Sequence, residues 1–303
     1  MSEATPKAYH CGYVALIGRP NVGKSTLMNH VLGQKLSITS RKPQTTRHRI
    51  IGIKTTERAQ IIYVDTPGIH QGDKQALHRY LNRAALSIIQ DVNVIVFLVE
   101  ALKWGDEDQL ALSHCEKAGC PVILAVNKVD QVKDKDKLLP FMQEVAARYA
   151  FAAVVPISAK HGTQLDELER CIAAQLPESD PMYPEDQITD RSVRFLATEI
   201  IREKLVRLLG DELPYATSVE IEKFDEDSKL VKVYAVIWVE RDNQKAIVIG
   251  KDGAKLKRIG QEARVDLETL LEKKVYLKTW VKVKRGWADD ERALQQLGYR
   301  DEF

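Results

Sequence analysis

A chain of 303 residues, 44% apolar and 29% charged, is long enough for two domains and has the composition of a soluble globular protein. Its net charge of +2 points to no partner by itself, and its four cysteines, without a C-x-x-C pair or ligand spacing, read as reduced thiols of a cytosolic protein rather than a zinc site. The opening Met-Ser-Glu-Ala-Thr-Pro-Lys has no apolar core for a signal peptide, and the longest strongly apolar run, Val94–Val99, is far too short to span a bilayer.

The first element is an apolar strand, Tyr13–Ile17, followed by Gly18-Arg-Pro-Asn-Val-Gly-Lys-Ser25 and a helical run from Thr26 to Leu32. This is the phosphate-loop pattern G-x-x-x-x-G-K-[ST] in its strand–loop–helix setting. Gly18 and Gly23 let the backbone turn its N–H groups towards phosphate oxygens. Lys24 offers a positive charge to the β- and γ-phosphates, Ser25 a hydroxyl to Mg²⁺, and the helix start its dipole. Nucleotide contacts are expected from Gly18, Asn21, Val22, Gly23, Lys24, Ser25 and Thr26.

Ser40–Arg47 is polar, basic and aperiodic, so it reads as a loop. A threonine here can complete the Mg²⁺ shell and let go after hydrolysis; Thr46 is preferred over Thr45. The next strand, Ile61–Val64, ends in Asp65-Thr-Pro-Gly68. Asp65 suits Mg²⁺, usually through water, and the Gly68 N–H suits the γ-phosphate. Ligands for the metal are thus expected from Ser25, Thr46 and Asp65, and catalytic roles from Lys24, Thr46 and Gly68. Ile69 stands where Ras-like enzymes carry a water-orienting glutamine, which implies slow intrinsic hydrolysis and another group that positions the water.

Helices are expected over Lys74–Ile89, Asp106–Lys117, Leu138–Tyr149 and Leu165–Leu176. Strand Pro121–Val126 ends in Asn127-Lys-Val-Asp130. The Asp130 carboxylate can accept from guanine N1–H and the 2-amino group; adenine lacks both donors and leaves it unpaired. Asn127 holds the loop and base edge, and the Lys128 stem packs on the purine. Val154–Ile157 ends in Ser158-Ala159-Lys160, whose backbone can meet guanine O6. Four motifs in order, each at the carboxyl end of a strand, indicate an α/β, Ras-like P-loop GTPase fold with a mostly parallel sheet, using GTP, GDP and Mg²⁺. A pure ATPase is opposed by Asp130.

Leu176–Asp186 carries three prolines and four acidic residues, so a stiff linker is expected. An amphipathic helix over Asp190–Leu209, with apolar Val193, Leu196, Ile200, Ile201, Leu205, Leu208 and Leu209, ends at Gly210. Strands Ser218–Phe224 and Leu230–Val239, a short helix Gln244–Ile249, the loop Gly250-Lys-Asp-Gly253, a helix Ala254–Leu271 and a strand Val275–Val283 follow. This α-β-β-α-α-β order with its G-x-x-G loop resembles the type II KH domain, an α+β fold whose loop clamps about four single-stranded nucleotides. Residues 244–285 carry 12 Lys/Arg against 5 Asp/Glu, so the basic balance is concentrated around the loop. RNA contacts are expected from Gly250, Lys251, Asp252, Gly253, Lys255, Lys257 and Arg258. Ile247, Val248 and Ile249 line the base groove or belong to the core. The acidic-headed segment Ala288–Gly298 covers the KH core or touches RNA, packing being the expected role.

Together with Pro43–Arg49 and Gly286–Arg292, these motifs resemble the bacterial Era family along nearly the whole chain. The resemblance implies a GTPase domain over 1–176, a linker over 177–189, a KH-like domain over 190–285 and a helical tail over 286–303. It further implies a GTP-switched factor in small (30S) ribosomal subunit assembly, binding the 3′ end of 16S rRNA, cytoplasmic with a fraction peripherally at the inner membrane, with links to growth and division, and a monomer. In a related branch of GTPases an asparagine at the place of Asn21 resembles a K⁺ ligand, so K⁺ is a candidate cofactor. The rival reading is a signalling GTPase whose second domain binds a protein or membrane.

Overall fold

Among the described residues, six strands of the amino-terminal half form one sheet, and three of the carboxyl-terminal half form another. The computed structural model describes residues 8–40, 42, 45–68, 76–87, 89, 91–210 and 213–296. The elements of the first half are β1 (His10–Ile17), α1 (Lys24–Leu32), β2 (Ile50–Thr55), β3 (Ala59–Asp65), α2 (Ala76–Ser87), β4 (Val94–Glu100), α3 (Asp106–Cys115), β5 (Val122–Asn127), α4 (Leu138–Ala146), β6 (Ala153–Pro156) and α5 (Leu165–Ala173). Strand order is β2-β3-β1-β4-β5-β6, parallel throughout except for β2 against β3. Alternate residues of β1 feed opposite cores. Val14 and Leu16 pack with Leu27, Met28 and Leu168, whereas Ala15 and Ile17 pack with Phe97, Leu112 and Val145. A sheet covered on both faces explains why its strands read as continuous apolar runs.

β2 is an element that the sequence reading lacks. Ile50, Ile51 and Ile53 are buried, so the strand shows no alternation, and Gly52 breaks the run. A Cβ at Gly52 would stand 2.4 Å from Leu32 Cδ1, so the glycine lets α1 close on the sheet. The proline-rich segment after α5 lies against this edge. Met182 N and Tyr183 N donate to Gln60 Oε1 at 2.8 and 3.0 Å, Ile53 N to the Ile188 carbonyl at 2.7 Å, and Thr189 Oγ1 to the Ile51 carbonyl at 2.6 Å.

The second half contains α6 (Val193–Leu208), β7 (Thr217–Glu226), β8 (Leu230–Val239), α7 (Asp242–Ile249), α8 (Ala254–Leu271), β9 (Lys274–Val283) and α9 (Glu291–Gln296). β8 runs antiparallel to β7 and parallel to β9, with α6 and α8 packed on one face of the sheet. The order is the expected α-β-β-α-α-β. Ser192 caps α6, its hydroxyl accepting from Phe195 N at 3.2 Å.

The amphipathic reading of α6 needs revision. Ile200, Ile201 and Leu205 enter the second core, but Leu196 enters the first, and Val193 is exposed. Its charged residues Glu199, Arg202, Glu203 and Lys204 are also buried. A helix sandwiched between two bodies buries most of its polar face, leaving Arg194 and Arg207 exposed near its ends. The tail also differs from expectation. Trp287, Ala288 and Leu294 pack on Ala76, Leu77, Tyr80 and Leu81 of α2 rather than on the core beneath the second sheet. Among the described residues, no helix is long and apolar enough to cross a membrane.

Candidate functional site

The loop between β1 and α1 is shaped by backbone that only glycine adopts readily. Gly23 has φ +115°, and a Cβ there would stand 2.2 Å from Asn127 Nδ2. A Cβ on Gly18 would meet the Leu98 carbonyl at 2.5 Å. Lys24 is buried, and its Nζ donates to the carbonyls of Gly18 at 2.8 Å and Arg19 at 3.1 Å. Burial lowers its pKa to about 8, with the Asp65 carboxylate pulling the other way. The ammonium is therefore short of a full counter-charge, as an anion-binding lysine should be. Asn21, Gly23, Ser25, Thr26, Thr46 and Gly68 line the same pocket.

Three groups from three elements meet beside it. Ser25 Oγ donates to Asp65 Oδ2 at 2.7 Å and lies 2.9 Å from Thr46 Oγ1, which is 3.3 Å from the same carboxylate oxygen. Thr45 points elsewhere, its hydroxyl donating to the Lys42 carbonyl at 2.7 Å. Burial raises the pKa of Asp65, opposed by the Ser25 bond, the Lys24 charge and the nearby Ser37 and Thr46 hydroxyls, and among the described residues its buried Oδ1 accepts no hydrogen bond of good geometry. Two hydroxyls beside a carboxylate with a spare oxygen make a donor set of hard oxygens that fits Mg²⁺. Gly68 packs tightly, since a Cβ there would stand 2.9 Å from Pro20 Cγ. Ile69, Pro43 and Gln44 lie outside the described residues.

The third and fourth motifs are joined to the first through Asn127. Its Nδ2 donates to the Val22 carbonyl at 2.8 Å, and its Oδ1 accepts from Lys128 N at 2.7 Å and Ala159 N at 3.0 Å. One side chain thus ties the phosphate loop, the end of β5 and the loop after β6. Ser158 Oγ donates to Asp130 Oδ1 at 2.6 Å, which orients the carboxylate. Lys128 has φ +65°, and its Nζ pairs with Glu100 Oε2 at 2.7 Å. Although burial opposes it, Lys103 and Lys128 hold the Glu100 carboxyl down at about 2. Lys160 is exposed at the rim.

In the second half, the Gly250–Gly253 loop has positive φ at Gly250 (+73°), Asp252 (+51°) and Gly253 (+75°). The two glycines are needed for different reasons. A Cβ at Gly250 would stand 2.7 Å from Lys255 Cβ, whereas at Gly253 it would meet nothing within 4 Å. Lys251, Asp252 and Lys257 are exposed beside it, and Lys255 is half-buried against Gly250. Arg258 is turned along α8 to Glu262 at 2.8 Å. A groove leads from Gly253 between α8 and β9, lined by Leu256, Lys257, Gly260, Gln261, Arg264, Leu277 and Thr279. Val248 belongs to the core, and neither it nor Ile247 or Ile249 lines this groove. Gly260 was the available signal: glycine inside a helix costs about 1 kcal/mol unless something must come close.

A set of contacts that sequence reasoning missed joins the loop of Thr46 to α6 and β7 of the second half. Arg202 of α6 is buried, donates to both Glu199 oxygens at 2.7 and 2.6 Å, and donates to the Thr45 carbonyl at 2.6 Å. Arg47 Nη1 donates to the Thr217 carbonyl at 2.8 Å. His48 packs edge-on against Phe195 at 5.3 Å between ring centroids, and burial lowers its pKa to about 4. Lys42 bonds the Leu209 carbonyl, and Arg207 Nη2 donates to the Thr39 carbonyl at 3.0 Å. The described residues on either side of Thr46 (Thr39, Lys42, Thr45, Arg47 and His48) are therefore held mainly by α6, the residues just after it and β7.

A family model described as a 50S ribosome-binding GTPase matches residues 13–128, and a KH-domain model matches residues 212–288. The GTPase Era of Ectopseudomonas mendocina is 58% identical over 291 residues, covering 96% of this chain and 97% of that protein. The chain belongs to the Era GTPase family. It is a GTPase that works with GTP, GDP and Mg²⁺, and its fold is a Ras-like GTPase domain followed by a KH domain. A solved Aquifex aeolicus Era variant bound to GDP and aluminium fluoride matches with TM-score 0.92 and 39% identity, covering 96% of this chain and 99% of that one. An Era complex with MgGDPNP and nucleotides 1506–1542 of 16S ribosomal RNA matches with the same TM-score, identity and coverage.

Proposed function

We propose that this Era-family GTPase is a nucleotide-gated RNA clamp: it binds the 3′ end of 16S rRNA in the groove beside Gly250–Gly253 and acts in small-subunit assembly. The observation that carries the gating is the bond from Arg202 to the Thr45 carbonyl, one residue from Thr46. In this reading the domains divide at 1–176, 177–189, 190–285 and 286–303. Lys24 and the amides of the phosphate loop hold the β- and γ-phosphates, and Gly68 N–H holds the γ-phosphate. Asp130, oriented by Ser158, accepts from the guanine edge, and the Lys128 stem covers the base. Ser25, Thr46 and Asp65 would hold Mg²⁺, which when bound neutralises charge on the phosphate oxygens. Thr46 can serve that shell only with residues 45–48 in place, and α6 and β7 hold those residues. RNA that shifts α6 therefore shifts the affinity for GTP, and by linkage GTP shifts the affinity for RNA by the same factor.

Intrinsic hydrolysis is slow in this reading, because Ile69 cannot orient water, and K⁺ beside Asn21 assists. Equal turnover in K⁺ and Na⁺ would discard the K⁺ role. The protein is a cytoplasmic monomer with a fraction peripherally at the inner membrane, linked to growth and division. The deciding experiment measures binding of a 16S rRNA 3′-end oligonucleotide with GDP and with a non-hydrolysable GTP analogue, with Gly253→Asp as control. Tighter binding with the analogue, lost in the variant, supports the clamp. Equal binding in both states removes the gate, and no binding in either moves the partner to a protein or membrane.

A further inference from the structure

The sheet of the second half has one face under α6 and α8 and one face away from them. Odd-numbered residues of β8 and β9, such as Val233, Ala235, Val275 and Val281, point into the helix-covered core. Even-numbered residues point out, and their register is specific. Lys232 stands opposite Tyr276, Tyr234 opposite Lys278, Val236 opposite Trp280, and Trp238 opposite Lys282. Aromatic and cationic side chains therefore alternate along β9, and three of these four cross-strand pairs set an aromatic ring against a lysine. Tyr234 lies 6.0 Å from the Tyr276 ring and 6.3 Å from the Trp280 ring, and Lys278 Nζ stands 5.8 Å over Trp280.

The face has two unlike regions. Towards β7 its charges are engaged within the protein. Lys282 pairs with Glu222 and Lys223 with Asp225, each at 2.6 Å, and Trp238 Nε1 donates to Glu220 at 2.8 Å. Lys274 and Lys278 of the edge strand β9, and Lys232 of the central strand β8 across from Asp225, are exposed and carry no ion pair among the described residues; Glu226, at the end of β7, is paired with Lys273. Tyr276 is 48% exposed. Cross-strand aromatic contacts stabilise a sheet. They do not require a half-exposed ring among unpaired lysines.

We infer that the open region around Tyr234, Tyr276, Trp280, Lys232, Lys274 and Lys278 is a second RNA-binding surface, on which unpaired bases stack while the lysines meet phosphates. Rings that stack bases, set among cations that track the backbone, are what single-strand binding needs. The surface is continuous with the groove. Leu277 and Thr279, the alternate residues of β9, line the groove on the other side of the same strand. β9 is an edge strand, so an RNA chain leaving the groove crosses one strand to reach these rings. The inference shares only its ligand class with the clamp reading, because the residues are different.

The test uses the full-length protein with GDP and a labelled oligouridylate of about twenty nucleotides, long enough to leave a groove that holds about four. Tyr276→Ala is expected to weaken binding about tenfold, Tyr276→Phe to keep it, and Lys278→Glu to flatten the dependence of log affinity on log salt by about 0.7 or more. Each residue is exposed, so folding and GTP turnover should be unchanged. Loss in Tyr276→Ala that persists on a Gly253→Asp background supports the surface. Wild-type affinity in both Tyr276→Ala and Lys278→Glu overturns it and leaves the face to a protein partner, while loss in Gly253→Asp alone preserves the clamp. No effect of Gly253→Asp beside a loss in Tyr276→Ala sinks the groove reading and keeps this one.

Discussion

If nucleotide state reaches the KH domain through the Thr45–Arg202 bond, removing Arg202 must cost stability and coupling in separable amounts. Arg202→Met breaks three charge-assisted bonds of 2.6–2.7 Å and strands the buried Glu199 carboxylate. Breaking one side of such a pair costs about 3–5 kcal/mol. Adding Glu199→Gln removes the stranded charge, so the double variant should recover most of that loss. The bond to Thr45 is absent in both. A charge-assisted hydrogen bond contributes about 1.5–3 kcal/mol, which bounds the coupling it carries at roughly tenfold to a hundredfold. Denaturant unfolding should therefore rank wild type, double variant and single variant in that order. The ratio of RNA affinities with the GTP analogue and with GDP should fall towards one in both variants. GDP affinity should hold within about twofold, because Arg202 contacts neither the phosphate loop nor Asn127. A double variant that is stable yet keeps the wild-type ratio would refute this route between the domains.

Three further outcomes follow from the same geometry. His48, with a pKa of about 4 in the fold, is neutral there but protonates near 6.5 in the unfolded chain; stability is complete above pH 6.5 and falls as pH drops towards 4, by up to about 3 kcal/mol, a slope that His48→Gln should remove in chemical unfolding. Lys24, with a pKa of about 8 in the free protein, should be held protonated by bound phosphates, so nucleotide binding above pH 8 takes up a proton and weakens with rising pH; calorimetry in buffers of different ionisation enthalpy reads this uptake, and a value of zero at pH 9 would contradict it. Asp130→Asn replaces an acceptor by a donor at the guanine edge, so GDP affinity should fall by at least a hundredfold and xanthosine diphosphate should become the better ligand in competition binding.

Much of the candidate site was readable because each part is local. Gly18–Ser25, Asp65–Gly68, Asn127–Asp130 and Ser158–Lys160 each follow an apolar strand, and parallel strands deliver such loops to one edge of the sheet. The choice between Thr45 and Thr46 was not local, since it depends on which hydroxyl faces Asp65 across the fold. β2 escaped because it offers neither signal: its buried residues show no period of two, and Gly52 splits them into apolar runs too short to stand out. For α6 the helix and most of its apolar positions were legible, but its charged residues Glu199, Arg202, Glu203 and Lys204 are buried too, and no pattern of hydropathy announces that.

The sequence by itself determined the chemistry of nucleotide recognition and the order of elements in the second half and, β2 apart, in the first, because these depend on residue type and spacing over a few positions. Only the tertiary structure decided how the domains speak to each other and what the outer face of the second sheet presents. Arg202 and Thr45 are far apart in the chain, and so are Tyr234 and Tyr276; each pair becomes neighbours only when strands and helices from distant segments pack. Contacts of that kind depend on register and crossing of elements, which a string of residues does not carry until it is folded.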